Sequence, residues 1–193
     1  MSEPTPPGRD AHDVIEDALM SPGRYKRHVE LRYCAEYMVQ FHSEAICRTQ
    51  VRLGPWPEPA PGLSRKERRW LAAKWRPWAD GVAIYPGVKV VVIEAKIIPK
   101  KYSTGLGDLL RYKRLAPLTP ELLAFKPRAW EYELVIPLPD PDIYAACSEQ
   151  GIRCVIWCPD WLTRYFETIP PRLATPPSPV PPTPYGPELP RPP

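Results

Sequence analysis

Long apolar runs are missing from this sequence, and so are abundant histidine and any regular pattern of cysteine. No stretch approaches the roughly 20 apolar residues needed to span a bilayer, so no membrane partner is expected. The opening MSEPTPPGRD lacks the charged-then-apolar order of a secretory signal. The 5 cysteines are odd in number and irregularly spaced, which argues against a disulfide framework and for a reducing, cytoplasmic setting. Cys147, Cys154 and Cys158 have six and then three residues between them, which matches no recognised cluster spacing, so no iron–sulfur cluster is expected. His12, His28 and His42 show no metal-ligand spacing, which sets zinc aside. The net charge is only +4, so any affinity for nucleic acid must come from how charge is distributed.

Proline, by contrast, is abundant: 30 residues, placed in loops and near the ends. The 193 residues suffice for one domain with a real core. Residues 1–22 read as a flexible leader with room for a short helix at Ala11 to Met20, residues 23–169 as the folded domain and 170–193 as a proline-rich tail. Twelve of the 24 tail residues are proline, and Pro181, Pro184, Pro187, Pro190 and Pro193 recur every third residue. In a polyproline II helix that period lines one edge, which suits a spacer or a ligand for an aromatic groove on a protein partner.

The most informative stretch is residues 78–114. Two β-branched runs flank Pro86-Gly87, predicting a hairpin whose second strand is apolar from Val88 to Ile98 except for Glu94 and Lys96. Charged groups in such a strand are costly to bury without partners or a metal. Both leave one face of the strand, since side chains alternate. A two-residue loop would set Tyr85 against Val88 and turn Asp80 to the wrong face. One added loop residue, or one bulge, sets Tyr85 against Lys89 and Asp80 against Glu94, and this is the expected register. Two carboxylates and an ammonium then converge. Hard oxygen ligands of this kind suit magnesium or manganese, completed by substrate phosphate and water. The matching substrate is a phosphodiester, with Lys96 orienting the attacking water or stabilising developing charge.

Asp80, then Glu94-Ala95-Lys96 on the next strand, then a helix carrying Tyr112, resembles the PD-(D/E)XK or restriction-endonuclease-like nucleases, closest to their RecB-like and phage-exonuclease branch. The resemblance covers roughly residues 25–160 as a pattern of elements, although the motif itself is a handful of residues. It implies an α/β fold with a mixed central sheet flanked by helices, Asp80 and Glu94 as magnesium ligands, and Lys96 as the catalytic lysine. DNA is the implied substrate, RNA the alternative, and host cytoplasm or a virion the setting if the source is a phage. The sequence departs from the pattern at Ala79, where a proline usually stands, and at Asp108, where RecB-like members place glutamine. A nuclease-fold protein without cleavage, serving in a phage particle or a DNA-processing complex, is the alternative that the tail and Asp108 favour.

Other elements follow from periodicity. A helix is predicted from about Arg24 into the low forties, with Glu30 near its apolar stripe. The resemblance implies an extra acidic ligand on this helix, at Glu30 or otherwise Glu44, while a plain ion pair would equally account for Glu30. Thr49 to Leu53 reads as the first strand. Ser64-Arg65-Lys66-Glu67 is a capping box, and on the helix it opens Arg65, Arg68, Arg69 and Arg76 share one side. This side is read as a phosphate-contacting face, with Trp70, Trp75 and Trp78 nearby for stacking or for packing. Ser103 or Thr104 should cap the next helix, on which Arg111, Tyr112 and Lys113 reach substrate. Strand Tyr132 to Leu138, helix Pro141 to Gln150 and strand Ile152 to Trp157 then add a parallel pair.

Overall fold

The computed structural model describes residues 4–20, 29–56 and 75–168, together with 62, 64, 66 and 67. The elements in chain order are β1 (Arg9–Asp10), α1 (Ala11–Met20), α2 (Val29–Phe41), β2 (Ile46–Arg52), β3 (Trp78–Tyr85) and β4 (Lys89–Ala95). They continue with α3 (Tyr102–Leu115), α4 (Pro120–Leu123), β5 (Ala129–Ile136), α5 (Pro141–Glu149), β6 (Arg153–Ile156) and α6 (Asp160–Thr168). The chain divides into two units at residue 158; of the second, residues 159–168 are described and carry α6. The tail from 170 onward, residues Arg65, Arg68, Arg69 and Trp70, and the first turn expected at 24–28 lie outside the described residues. No helix among the described residues is long and apolar enough to cross a membrane.

The fold is α/β, with a six-stranded mixed sheet ordered β1 to β6 as in the chain. Each of β1 to β4 pairs antiparallel with its neighbour, whereas β4, β5 and β6 run parallel, the last two joined through α5. The expected parallel pair therefore extends the hairpin. Within residues 1–22, read from sequence as a leader with room for a short helix at Ala11 to Met20, that helix is α1; Arg9 pairs with Thr49, and Ala11, Val14 and Ala18 of α1 are buried. The segment's composition is polar, but one stripe of small and branched residues suffices to dock a short helix.

Strand β4 lies between β3 and β5, and every residue from Val90 to Ile97 is buried. Full burial of each Val or Ile contributes about 1.5–3 kcal/mol, so this strand anchors the core. Val90 and Val92 pack with Tyr102, Leu109 and Tyr112 of α3 and Leu134 of β5. Helix α2 covers the opposite face. There Gly81 of β3 meets it so closely that an added Cβ would stand 2.7 Å from both Cys34 Sγ and Met38 Sδ.

The hairpin loop has three residues, Pro86, Gly87 and Val88, closed by Val88 N–H donating to Tyr85 O at 3.0 Å. Gly87 takes φ +72°, a left-handed conformation that glycine adopts without a Cβ clash. The loop sets Tyr85 opposite Lys89, the register expected from the sequence, and Asp80 comes level with Glu94. Some boundaries differ. β2 starts at Ile46, and α3 starts at Tyr102 after a 3-10 turn, with no side-chain cap from Ser103 or Thr104. The capping box at Ser64 and Glu67 forms, with Glu67 N–H donating to Ser64 Oγ at 3.3 Å and Ser64 N–H to Glu67 Oε2 at 2.8 Å.

Gly81→Ala should destabilise the protein by about 1–3 kcal/mol, because both neighbours are sulfur atoms of buried side chains. A lowered urea midpoint with an unchanged slope is the expected readout.

Candidate active site

The paired ladder of β3 and β4 ends at Gly81 and Ile93. One step further the strands are bridged by a side chain: Asp80 Oδ2 accepts from Ala95 N–H at 3.1 Å. The same oxygen lies 3.6 Å from Lys96 Nζ, and Lys96 Nζ donates to Glu94 Oε1. Glu94 is 3% exposed, while the Asp80 side chain is 31% exposed and opens the cluster to solvent. The structure thus brings Asp80, Glu94 and Lys96 together. Helix α2 adds Glu30, whose Oε1 accepts from Ile97 N–H at 3.5 Å. Glu44, the other acidic residue considered on this helix, sits instead in the exposed turn after α2, near Tyr85.

Two carboxylates share one ammonium in this largely dry site. Burial first, and the Asp80 charge second, push the Glu94 carboxyl up to about 8 against the pull of Lys96. Lys96 itself is raised: burial alone would lower it, but Asp80 and Glu94 hold its proton. Glu94 Oε2 is buried with no hydrogen-bond partner.

A second buried glutamate shows what full satisfaction looks like. Glu133 of β5 is 1% exposed, and its neighbour in the parallel register is Ile93, so it leaves the sheet face opposite Glu94. Tyr37 donates to its Oε2 at 2.7 Å, His42 Nε2 lies 3.2 Å from the same atom, and Arg153 pairs with Oε1. Burial would raise this carboxyl, but hydrogen bonds from His42 and Tyr37 and the Arg153 charge hold it below its ordinary range. Glu133 is therefore a closed structural ion pair, and Glu94 is an open one. Perturbation of the second kind is what functional carboxylates show.

The structure gives three of the expected substrate contacts partners within the fold. Arg76 is 3% exposed and makes a two-pronged pair with Glu121 at 2.7 and 2.8 Å. Lys113 donates to Gln150 O at 2.6 Å, tying α3 to the end of α5. Tyr112 is buried, with its hydroxyl donating to Trp78 O; its proton is held tightly by burial and by the charges of Glu94, Asp108 and Asp80. It braces α3 against β3 beside the carboxylates. Arg111 is exposed on α3.

One constraint was invisible in the sequence. Gly105 on α3 lies over the Lys96 stem, where an added Cβ would come 2.8 Å from Lys96 Cγ and 2.9 Å from Leu134 Cδ1. The absent side chain is what lets the lysine run back along the strand to Glu94.

Among the described residues no group of three or more His, Cys, Asp and Glu is gathered to hold a metal ion. The donors present, Glu94 Oε2 and the solvent-facing Asp80, fit an ion that takes one or two protein carboxylates and keeps its waters. No protein-family model, curated protein or solved structure matches the chain.

Because the folded state favours protonated Glu94, the stability this provides is complete below the ordinary carboxylate range and is lost as pH rises through about 8. The thermal midpoint of the wild type should fall between about pH 5 and pH 8, and Glu94→Gln should flatten that slope. Parallel profiles for the two proteins would contradict the raised carboxyl.

Proposed function

We propose that this chain is a metal-dependent nuclease hydrolysing DNA phosphodiesters through Asp80, Glu94 and Lys96, on a fold of the restriction-endonuclease-like kind. The observation that carries the reading is the half-satisfied Glu94 carboxylate, buried and sharing Lys96 with Asp80 at the end of the central strand. Placement of these residues on adjacent antiparallel strands, followed by the helix bearing Tyr112, supports the fold assignment.

Asp80 and Glu94 would hold magnesium or manganese, which supplies polarisation of a phosphoryl oxygen and a more acidic bound water. The protein's own part is positional. Asp80 is pinned by Ala95 N–H, and Glu94 is fixed by burial. Lys96, confined beneath Gly105, can donate to the attacking water or to the negative charge that develops on the phosphate. Glu30 is proposed as an accessory acidic group. Exposed Arg111, Lys100 and Lys101 offer phosphate contacts beside the site. Arg65, Arg68 and Arg69 as backbone contacts, and the tail as a docking segment for a protein partner, rest on the sequence alone.

A second reading has its own observation. The Lys96 ammonium already lies across both carboxylates and partly neutralises them, as in a purely structural cluster within a nuclease-like protein that does not cleave.

Cleavage of labelled single- and double-stranded DNA with magnesium, manganese or EDTA separates the two. The nuclease reading expects metal-dependent cutting that falls by about 100-fold or more in Lys96→Met and in Asp80→Asn, the range of a lost charge-stabilising group. The methionine keeps the buried stem, so loss of activity will not reflect loss of packing. Full activity in either variant, or none in a folded wild type with any metal, would favour the structural cluster.

A further inference from the structure

Among the described residues two that are not glycine have a left-handed backbone, Lys126 at φ +51° and Gln50 at φ +53°. Lys126 follows the short helix α4, where that conformation is a common way to end a helix. Gln50 lies inside strand β2, where a residue with a Cβ rarely adopts it. No turn accounts for it. The strand keeps one register on both sides, with Thr49 opposite Gly81 and Val51 opposite Ala79, and the pair between them, Gln50 with Asp80, is missing.

The sheet changes faces at that missing pair. Ahead of it, Cys47 of β2 reaches Met38 O of α2, and Gly81 of β3 lies against Cys34 and Met38 of the same helix. Alternation would keep Val51 and Leu53 on the side of Cys47, and Ala79 on the side of Gly81. All three instead pack in the core cluster with Tyr102, Leu109 and Tyr112 of α3. Val82 and Ile84 belong to that cluster as well, and Ile46 packs against it. Strands β2 and β3 therefore each exchange faces, one at Gln50 and the other at Asp80.

A side chain at such an exchange points to neither face. In a regular strand the Asp80 carboxylate would stand perpendicular to the sheet, away from a neighbouring strand's N–H. Here Asp80 Oδ2 reaches across to β4, accepting from Ala95 N–H at 3.1 Å and lying 3.6 Å from Lys96 Nζ. The outer edge of β2 is fitted to the distortion. Gly8, at φ +84°, lies so close that an added Cβ would stand 2.5 Å from Thr49 O and 2.9 Å from Val51 Cγ2. The Gln50 side chain is exposed, so what this position supplies to Asp80 is its backbone.

We propose that Gln50 is a positioning residue for Asp80: its left-handed backbone opens the β2–β3 ladder and exchanges the faces of both strands, which turns the Asp80 carboxylate towards Ala95 N–H and Lys96. The use of that carboxylate in cleavage rests on the nuclease reading. Its placement does not.

The test records the Ala95 amide resonance in ¹H–¹⁵N spectra of the wild type, Asp80→Ala, Gln50→Gly, Gln50→Thr and Gln50→Val, all in EDTA. Glycine takes the left-handed conformation freely, whereas β-branched side chains resist it and favour a regular strand. Two β-branched variants are compared so that one unfolded protein leaves the comparison intact, and unmoved resonances of β5 and β6 will show which of them fold. Gln50→Thr and Gln50→Val should move the Ala95 resonance to where Asp80→Ala puts it, while Gln50→Gly keeps it at the wild-type position. With magnesium, Gln50→Thr should cut DNA about 100-fold more slowly than Gln50→Gly, the scale of a small misplacement of a reacting group. An Ala95 resonance that stays at the wild-type position in the folded β-branched variants would overturn the proposal, even where the wild type cuts. A moved resonance in a protein that never cuts would support the positioning role and overturn only its link to cleavage.

Discussion

The cluster at the end of β4 holds two carboxylates and one ammonium, with Glu94 and Lys96 buried and Asp80 at the solvent edge, and that imbalance of charge organises the site. A central strand of valine and isoleucine provides the dry setting, and a buried ionised group there costs several kcal/mol unless it is paired. Lys96 pairs with both Glu94 and Asp80 but cannot satisfy every oxygen. The remainder appears as a proton-hungry Glu94 and a carboxylate oxygen with no partner. Glu133, equally buried on the opposite face of the neighbouring strand, has donors on both oxygens and the reverse shift. The same side chain in one sheet thus has two electrostatic settings, one closed and one left open to a further cation.

Holding that cluster depends on close approaches on both faces of the sheet. On one, Gly81 lets α2 come down next to Asp80, which also brings Glu30 to the backbone beyond Lys96. On the other, Gly105 lets α3 lie over the Lys96 stem, and Tyr112 ties that helix to Trp78 O. The start of β3 therefore links the carboxylates and the bracing helix through three successive residues, Trp78, Ala79 and Asp80.

Much of this was legible in the sequence because it rests on period and parity. Alternation placed Glu94 and Lys96 together, and the parity of the hairpin loop placed Asp80 beside them; the three-residue loop bears out that register. Proline at the first turn marked α5; the cap that Asp140 supplies, accepting from Ile143 N–H at 3.1 Å, was not read from the sequence. Less legible were the partners that side chains find at a distance. Spacing set Arg76 on a surface stripe, but the chain turns after Trp75 and Glu121, 45 residues away, draws the guanidinium inward. Lys113 and Tyr112 have the right helix for substrate contact but find partners in Gln150 and Trp78. Glu133 carried the same signal as Glu94, a carboxylate in an apolar strand, and its partners His42 and Arg153 come from elements with no sequence link to it. The roles of Gly81 and Gly105 could not be read at all, since a close approach exists only once two elements have packed.

The central claim is that the carboxylates of buried Glu94 and solvent-edge Asp80 are satisfied by a divalent cation. Thermal unfolding of the wild type and of Asp80→Asn across a titration of manganese or magnesium tests it without any substrate. At a free metal concentration about a hundredfold above Kd, the wild type should gain about 2.7 kcal/mol, seen as a midpoint rising with the logarithm of metal concentration. The variant should show little or none of that rise. Midpoints that stay level in the wild type, or that rise equally in both proteins, would contradict a metal at this site and leave Lys96 as the cluster's sole counter-charge.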